Sequence, residues 1–430
     1  MLRRSILFRK LLLDEGTKRI RMNQIGNLLL IFCFATLTIP IPSLAQSEND
    51  GFIATVTLSE EFNDNVNETA NAKSDLVTSL KPTLKWNYIG SRTTSSISYA
   101  GNLRQYAFGN RQDEFLNTLE ANAQLDAIKN LLSINFSDNN KMVFTDATLG
   151  STNDADSTTR QVNQNTFMTG ATLLPASWDR TPVTVDAAFF KTTYWDGTGI
   201  DKTGQQIILD LLHSTTDRLD LGADAKLFHQ EATGANLIRL SASGVIRYTY
   251  ADDCFIYGRI GLIRSQTQGF DREIKPIWSA GLSHNFGRTA INIDSQAGYI
   301  DNPSSSQDTY RYTITAYLQR TIDRSMLTIN AGYTDYTTQN DEQNKQITLG
   351  IKEAYELTSR LRFTISGSYI TNTTFGQTLD RLYGSTELNY DLPKDYTISL
   401  WYRHKLSNST SSSTNTYQVH MTGIGLQKTF

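Results

Sequence analysis

Cysteine is nearly missing from this chain. Two occur in 430 residues, Cys33 in an apolar N-terminal segment and Cys254 far downstream. If that segment is removed, Cys254 stands alone, so no intrachain disulfide holds the fold, and a lone structural cysteine is ordinarily inert. Long apolar runs are missing too: after residue 45 nothing approaches the roughly 20 residues of a spanning helix. No basic tract is present and the net charge is only −3, which removes nucleic acid as a partner. Histidine is scarce and scattered (His213, His229, His284, His404, His420). No G-x-S-x-G, H-E-x-x-H or Gly-rich phosphate loop accompanies these residues. Ser283 and His284 are sequence neighbours, so a strand puts them on opposite faces and they form no dyad. The chain reads as a non-enzyme without cofactor or metal centre.

Hydrophobic residues make up only 39% of the chain, with a mean hydropathy of −0.37, while Thr, Ser, Asn, Tyr and Gly are abundant. The N-terminus carries an address. A basic "KRIRMNQ" precedes an apolar "GNLLLIFCFATLTIPIP", and "SLA" follows just before "QSENDG". This is the order of a secretory signal with a small-residue cleavage site. We expect a signal over residues 1–45, with Met22 as a second candidate start, then a short segment 46–51 and one domain over 52–430. The apolar run is short for an anchor and has prolines near its end.

What fills that domain is alternation. In "LTINAGY" (residues 327–333), Leu327, Ile329, Ala331 and Tyr333 share one face and Thr328, Asn330 and Gly332 the other. Residues 218–229, 361–369 and 396–405 repeat the device. Period two means strands whose faces meet different solvents. Soluble sandwich strands run about 5–6 residues; here the alternation lasts roughly 10–14, the length a tilted strand needs to cross a bilayer. Twenty strands are expected: 52–63, 75–88, 93–107, 114–126, 130–138, 163–174, 182–195, 205–214, 218–229, 235–250, 254–266, 274–286, 289–300, 309–320, 325–337, 344–357, 361–371, 378–390, 395–406 and 416–430. The fold class is all-β, a transmembrane antiparallel up-and-down barrel of about 20 strands (range 16–22). Links after even-numbered strands are short ("GSRT", "TTDR", "IDRS"). Those after odd-numbered strands read as longer and polar, as periplasmic turns and external loops do.

The register assigns candidate sites. Asp224, Lys226, Phe228, Arg239, Arg247, Arg259, Asp294, Arg311, Arg362, Arg381, Tyr383, Glu387, Trp401 and Arg403 fall on the polar face and line the expected lumen. Both signs are mixed, which suits neutral polar solutes, and the aromatics among them, with Phe190 and Tyr317, could stack on sugar rings or pack under a loop. The third loop is the longest, and such lengths are often functional. We expect it to fold inward, with Asp146, Asp154 and Asp156 at a constriction. Arg92, Arg180, Arg218, Arg288, Arg324 and Arg360 mark the short turns, where a cation can meet turn carboxylates or lipid phosphate. Trp86, Tyr88, Trp195, Tyr299 and Tyr402 fit interface girdles. Asn63-Asp64-Asn65 reads as a solvated turn sooner than a calcium site. The last strand sets Ile424, Leu426 and Phe430 on its apolar face, similar to the C-terminal signal read by the barrel-assembly machinery, although Lys428 departs from the usual apolar residue.

"VTLSEEFNDNV" (residues 56–66) followed by "KSDLVTSLKPTLKW" (residues 73–86) resembles the opening of an uncharacterised outer-membrane β-barrel family associated with the PEP-CTERM/exosortase system, overlapping the β-barrel porin 2 group. The resemblance is specific over residues 56–86 and implies an outer-membrane barrel of Gram-negative bacteria linked to surface polysaccharide. It supplies no catalytic residues. Expected partners are outer-membrane lipid, the assembly machinery and a periplasmic polysaccharide-export protein. Three functions stay open: a polysaccharide-export channel, a general diffusion porin, and a structural or adhesive barrel.

Overall fold

Thr, Tyr, Val and Ile favour the pleated conformation, and in a bilayer every backbone N–H and C=O needs a protein partner. Strands of this composition therefore satisfy their ladders only by closing on themselves. The computed structural model describes residues 51–149, 161–174, 177–178, 180–195, 197–306, 308–337, 343–374, 376–410 and 416–430. The strands are β1 (Gly51–Asn63), β2 (Asp75–Ile89), β3 (Thr93–Tyr106), β4 (Glu114–Ile128), β5 (Leu132–Phe144), β6 (Gln161–Leu173), β7 (Ser177–Trp178), β8 (Thr181–Tyr194), β9 (Lys202–Ser214), β10 (Leu219–Ala232), β11 (Ala235–Ala251), β12 (Cys254–Thr267), β13 (Glu273–Asn285), β14 (Thr289–Ile300), β15 (Thr309–Ile322), β16 (Ser325–Thr337), β17 (Gln343–Glu356), β18 (Leu361–Thr374), β19 (Gln377–Leu392), β20 (Tyr396–Ser409) and β21 (Tyr417–Thr429). β7 is a two-residue ladder inside a turn. The other twenty pair antiparallel with their neighbours, and β1 closes the ring on β21 from Thr55↔Thr429 to Asn63↔Met421.

Side chains sort by register. On β11, Ile238, Leu240, Ile246 and Tyr248 are exposed on the outer face, whereas Leu237, Arg239, Ser241 and Ser243 are buried on the inner one. Leu221 and Leu227 on β10 and Leu400 and Tyr402 on β20 likewise point outward. An apolar outside around a polar inside inverts a soluble protein and suits a barrel in lipid. Twenty strands at about 4.8 Å spacing and a tilt near 40° give a backbone ring roughly 40 Å across, too wide for wall side chains to fill.

Two links depart from the expected alternation of lengths. After β10 only residues 233–234 remain before β11, and after β18 only 375–376 precede β19. Both links are only two residues long, on the end where longer loops were expected. Gly234 (φ +82°) and Gly376 (φ +75°) take the left-handed conformation such turns need. The strands outrun the apolar alternation because beyond the bilayer both faces are wet. For the same reason β5 continues to Phe144, where the sequence pattern stops near 138, and the third loop shortens to residues 145–160.

Candidate functional site: the lumen and its inward segments

The fourteen lumen candidates fall on the inward register, but they play different parts there. Asp224 is buried, ion-paired with Arg259 and contacted by Ser243 Oγ at 3.3 Å. Phe228 stacks on Phe190 with centroids 5.2 Å apart, and Lys226 Nζ stands 5.5 Å from the same ring. Tyr257 donates to Asp294 at 2.5 Å. Arg311 lies opposite Tyr336. Tyr383 has Lys405 Nζ 5.3 Å from its ring, and Glu387 accepts from Asn389 at 2.8 Å. Trp401 Nε1 donates to Glu61 at 3.0 Å, with Arg403 3.7 Å from the same carboxylate. Arg247, 4.6 Å from the Phe255 ring, and Arg362 are exposed near the turn end. Arg239 and Arg381, only 7% and 6% exposed, are engaged by loops.

Three chain segments enter the lumen from the loop end. The first is the tip of the β5–β6 hairpin. The ladder from β4 to β5 stops at Leu119↔Asn140, while that from β5 to β6 runs on to Phe144↔Gln161, so the tip peels away from β4. Val162 and Phe144 are buried, and Phe144 lies 6.0 Å from the Arg381 guanidinium on β19. A short 3₁₀ turn at Ala147–Leu149 is then gripped by inward side chains of distant strands. Asn344 Nδ2 donates to Thr148 Oγ1 (2.5 Å), Asn372 Nδ2 to the Thr148 carbonyl (3.2 Å), and Gln346 Nε2 (3.1 Å) and Arg381 (3.3 Å) to the Leu149 carbonyl. Asp146 caps this turn, accepting from the Thr148 N–H at 2.9 Å and its hydroxyl at 2.7 Å. Its carboxylate is therefore spent on local structure. Asp154 and Asp156 lie outside the described residues.

The second segment, residues 301–308, is held by Lys202, 1% exposed. Its ammonium meets Asp301, the Asn302 carbonyl (2.9 Å) and Asp308 (3.4 Å). Arg239 binds Asp308 at 2.6 Å, and Tyr194 and Gln164 donate to Asp301 at 2.6 and 2.7 Å. Tyr299 belongs to this cluster. It donates to Glu273 at 2.8 Å and its ring centre lies 3.9 Å from the Arg239 guanidinium, so it is no girdle residue. The third segment is the β1–β2 loop. Lys405, also 1% exposed, and Tyr417 bind Glu68 at 2.9 and 3.0 Å. The expected solvated turn at residues 63–65 is instead a structural knot. Asn65 is buried and donates to the carbonyls of Thr69 and Gln418, and Asp64 accepts from the His420 N–H.

At the opposite end the six turn arginines have exposed side chains. Each stands one residue before a strand, and its carbonyl accepts from the next strand over: Arg92 from Asp126 at 2.7 Å, and Arg180, Arg218, Arg288, Arg324 and Arg360 from Ser214, Thr249, Thr321, Glu356 and Asp391 at 2.8 Å. Leu131 and Asp395 do the same in other turns, so the ladder does not require arginine there. Arg288 reaches Asp323 (3.4 Å) and Arg180 reaches Asp217 (3.9 Å), both on the next turn. Ile424 and Leu426 face outward, and Phe430 follows β21. Sequence reading missed Lys202, Glu68, Asp301, Asp308, Asn344 and Asn372. Lys405 was visible as a polar-face residue, but nothing in its spacing announces Glu68, 337 positions away.

Neither protein families nor curated proteins give a match to this chain. Among solved structures it is similar to the FrpB iron transporter from Neisseria meningitidis, at 9% identity, covering 90% of this chain and 82% of that one, with a TM-score of 0.49. It is also similar to the copper transporter OprC (9%, 90% and 84%, 0.47) and to the outer membrane protein OpdK from Pseudomonas aeruginosa (9%, 88% and 99%, 0.40).

Proposed function

We propose that this chain is an outer-membrane channel of a Gram-negative bacterium that passes a surface polysaccharide and is occluded at rest. The short turns then face the periplasm and the loops the exterior, the usual orientation of such barrels. The observation that carries this reading is the occupied loop end of the lumen. A conduit for a hydrated polymer needs a wide barrel, yet it must not leak small solutes while idle. Three inward segments, gripped by neutral amides and by ion pairs, fit that requirement better than an open diffusion pore does. Asn344 Oδ1 and Arg381 Nε are buried without a hydrogen-bond partner among the described residues, so docking leaves some polar desolvation uncompensated, which lowers the cost of release. The resemblance of residues 56–86 to an exopolysaccharide-associated family supports the substrate class. Opening falls to a periplasmic export protein that meets the exposed turn arginines, and the assembly machinery reads the final strand with Ile424, Leu426 and Phe430.

A deletion strain tests the reading. Loss of surface polysaccharide with unchanged small-solute permeability is the expected outcome. Normal polysaccharide with reduced uptake of small sugars would overturn it in favour of a general porin.

A further inference from the structure

Beneath the β1–β2 loop, at the seam where β20, β21, β1, β2 and β3 meet, the inner wall holds a cavity of about 220 Å³. Its floor is Trp401. The indole lies flat on the β21 backbone, because two residues that would otherwise stand in its way are glycines. A Cβ at Gly423 would come within 2.4 Å of the indole Cζ2, and one at Gly425 within 3.1 Å of Cζ3. Glu61 fixes the ring through Nε1 at 3.0 Å. One aromatic face is thus pressed against main chain and the ring lines the cavity. The Arg403 guanidinium stands 5.5 Å from the indole centre at the edge of the site, while Phe190 and Phe228 are stacked on each other and offer no free face.

Around this floor stand groups of both signs: Glu61, Glu387, Arg403, Arg104 and Lys81, with Ser79 and Ser399. The two acids and three bases offset to within one charge, and Arg403 is already paired with Glu61, which leaves little field for a ligand of high net charge and favours one that both donates and accepts hydrogen bonds. The volume is below the roughly 300–1,000 Å³ of sites for drug-sized molecules, so it takes one ring of a longer chain. A ligand with one apolar face, a rim of hydroxyls and no charge is a pyranose.

We propose that the Trp401 cavity is a binding subsite for a single neutral pyranose ring, stacked on the indole with its hydroxyls between the acidic and basic side chains. This deepens the channel reading and rests on it for the expectation that a glycan passes the site. Its test does not, because binding is measured without transport. The purified full-length barrel in detergent is titrated with maltohexaose, cellohexaose and an oligogalacturonate of equal length, read by saturation-transfer NMR and equilibrium dialysis. The expected result is that at least one neutral hexaose binds and the uronate binds more weakly. Trp401→Ala should weaken that binding about tenfold or more, while W401F retains part of it. Gly423→Val should reproduce the loss with Trp401 still present, because its side chain displaces the ring. A heat-dependent gel shift like that of the unmodified protein shows that each variant is folded. Binding that survives both W401A and G423V overturns the assignment, as does preference for the uronate or failure of both neutral probes to bind. Should the deletion strain keep its polysaccharide while Trp401-dependent binding holds, the export reading falls and the subsite stands.

Discussion

The loop half and the turn half of the lumen draw on the same residue types, yet they are organised differently. Towards the loops, Lys202, Lys405, Arg239 and Arg381 are buried and each is bonded to an inward segment. Towards the turns, Arg247 and Arg362 are exposed on the same inner face, and the arginines of the turns themselves lie open to solvent. A basic residue at one end is a fastener, and at the other a solvated surface charge. The difference comes from what faces it. A charge taken out of water demands a partner; neighbouring wall strands supply it for Asp224 through Arg259, and inward-folded chain supplies it for the four basic residues near the loops.

Three changes probe this contrast, in decreasing order of expected effect. Replacing residues 145–160 by a short Gly-Ser link removes the segment gripped by Asn344, Gln346, Asn372 and Arg381. Permeability of proteoliposomes to small sugars should rise about tenfold, as expected when a constriction widens to the full lumen, and unchanged swelling rates would show that this segment obstructs nothing. Lys202→Met removes the ammonium shared by Asp301 and Asp308, leaving Asp301 only its neutral donors Tyr194 and Gln164 and Asp308 only Arg239. Leaving buried charge uncompensated costs about 3 kcal/mol, so the temperature at which the folded gel band converts should fall measurably. An unaltered conversion would mean that the 301–308 segment does not depend on this ammonium. Arg288→Ala should do least. Its pair with Asp323 is 78% and 83% exposed, so the loss is below about 1 kcal/mol with conductance unchanged. A large loss of stability there would erase the distinction between the two ends.

The wall was legible in the sequence, whereas of the contents of the lumen only the inward course of the third loop was expected, from its length, and none of the residues that grip it except Arg381. Inside the bilayer the two faces of each strand meet lipid and water, so Leu227 beside Phe228 or Leu400 beside Trp401 announces both the strand and its register. Beyond the bilayer both faces are wet. There the alternation fades although the ladder continues, which is why the β10–β11 and β18–β19 hairpins were read as longer loops. The inward segments left no periodic trace at all. Lys202 and Asp308 lie 106 positions apart, and each is an ordinary charged residue until the barrel curls and brings them together. Tyr299 shows the same limit from the other side. As a strand-end aromatic it matched an interface girdle, and only the position of Arg239 and Glu273 shows it to be part of the network that holds the 301–308 segment. Gly423 and Gly425 alternate with the apolar Ile424 and Leu426, but their use as a bed for Trp401 needed the neighbouring strand.

The central claim, a wide membrane barrel held shut from its loop end by side-chain contacts, is tested most directly by single-channel conductance in planar bilayers. The unmodified protein is compared with the double variant Asn372→Ala/Arg381→Ala, which removes two of the grips on the Ala147–Leu149 turn without shortening the chain. The account predicts a small, infrequent conductance for the unmodified protein and a severalfold larger, sustained one for the variant. A large, steady conductance that is the same in both would contradict it.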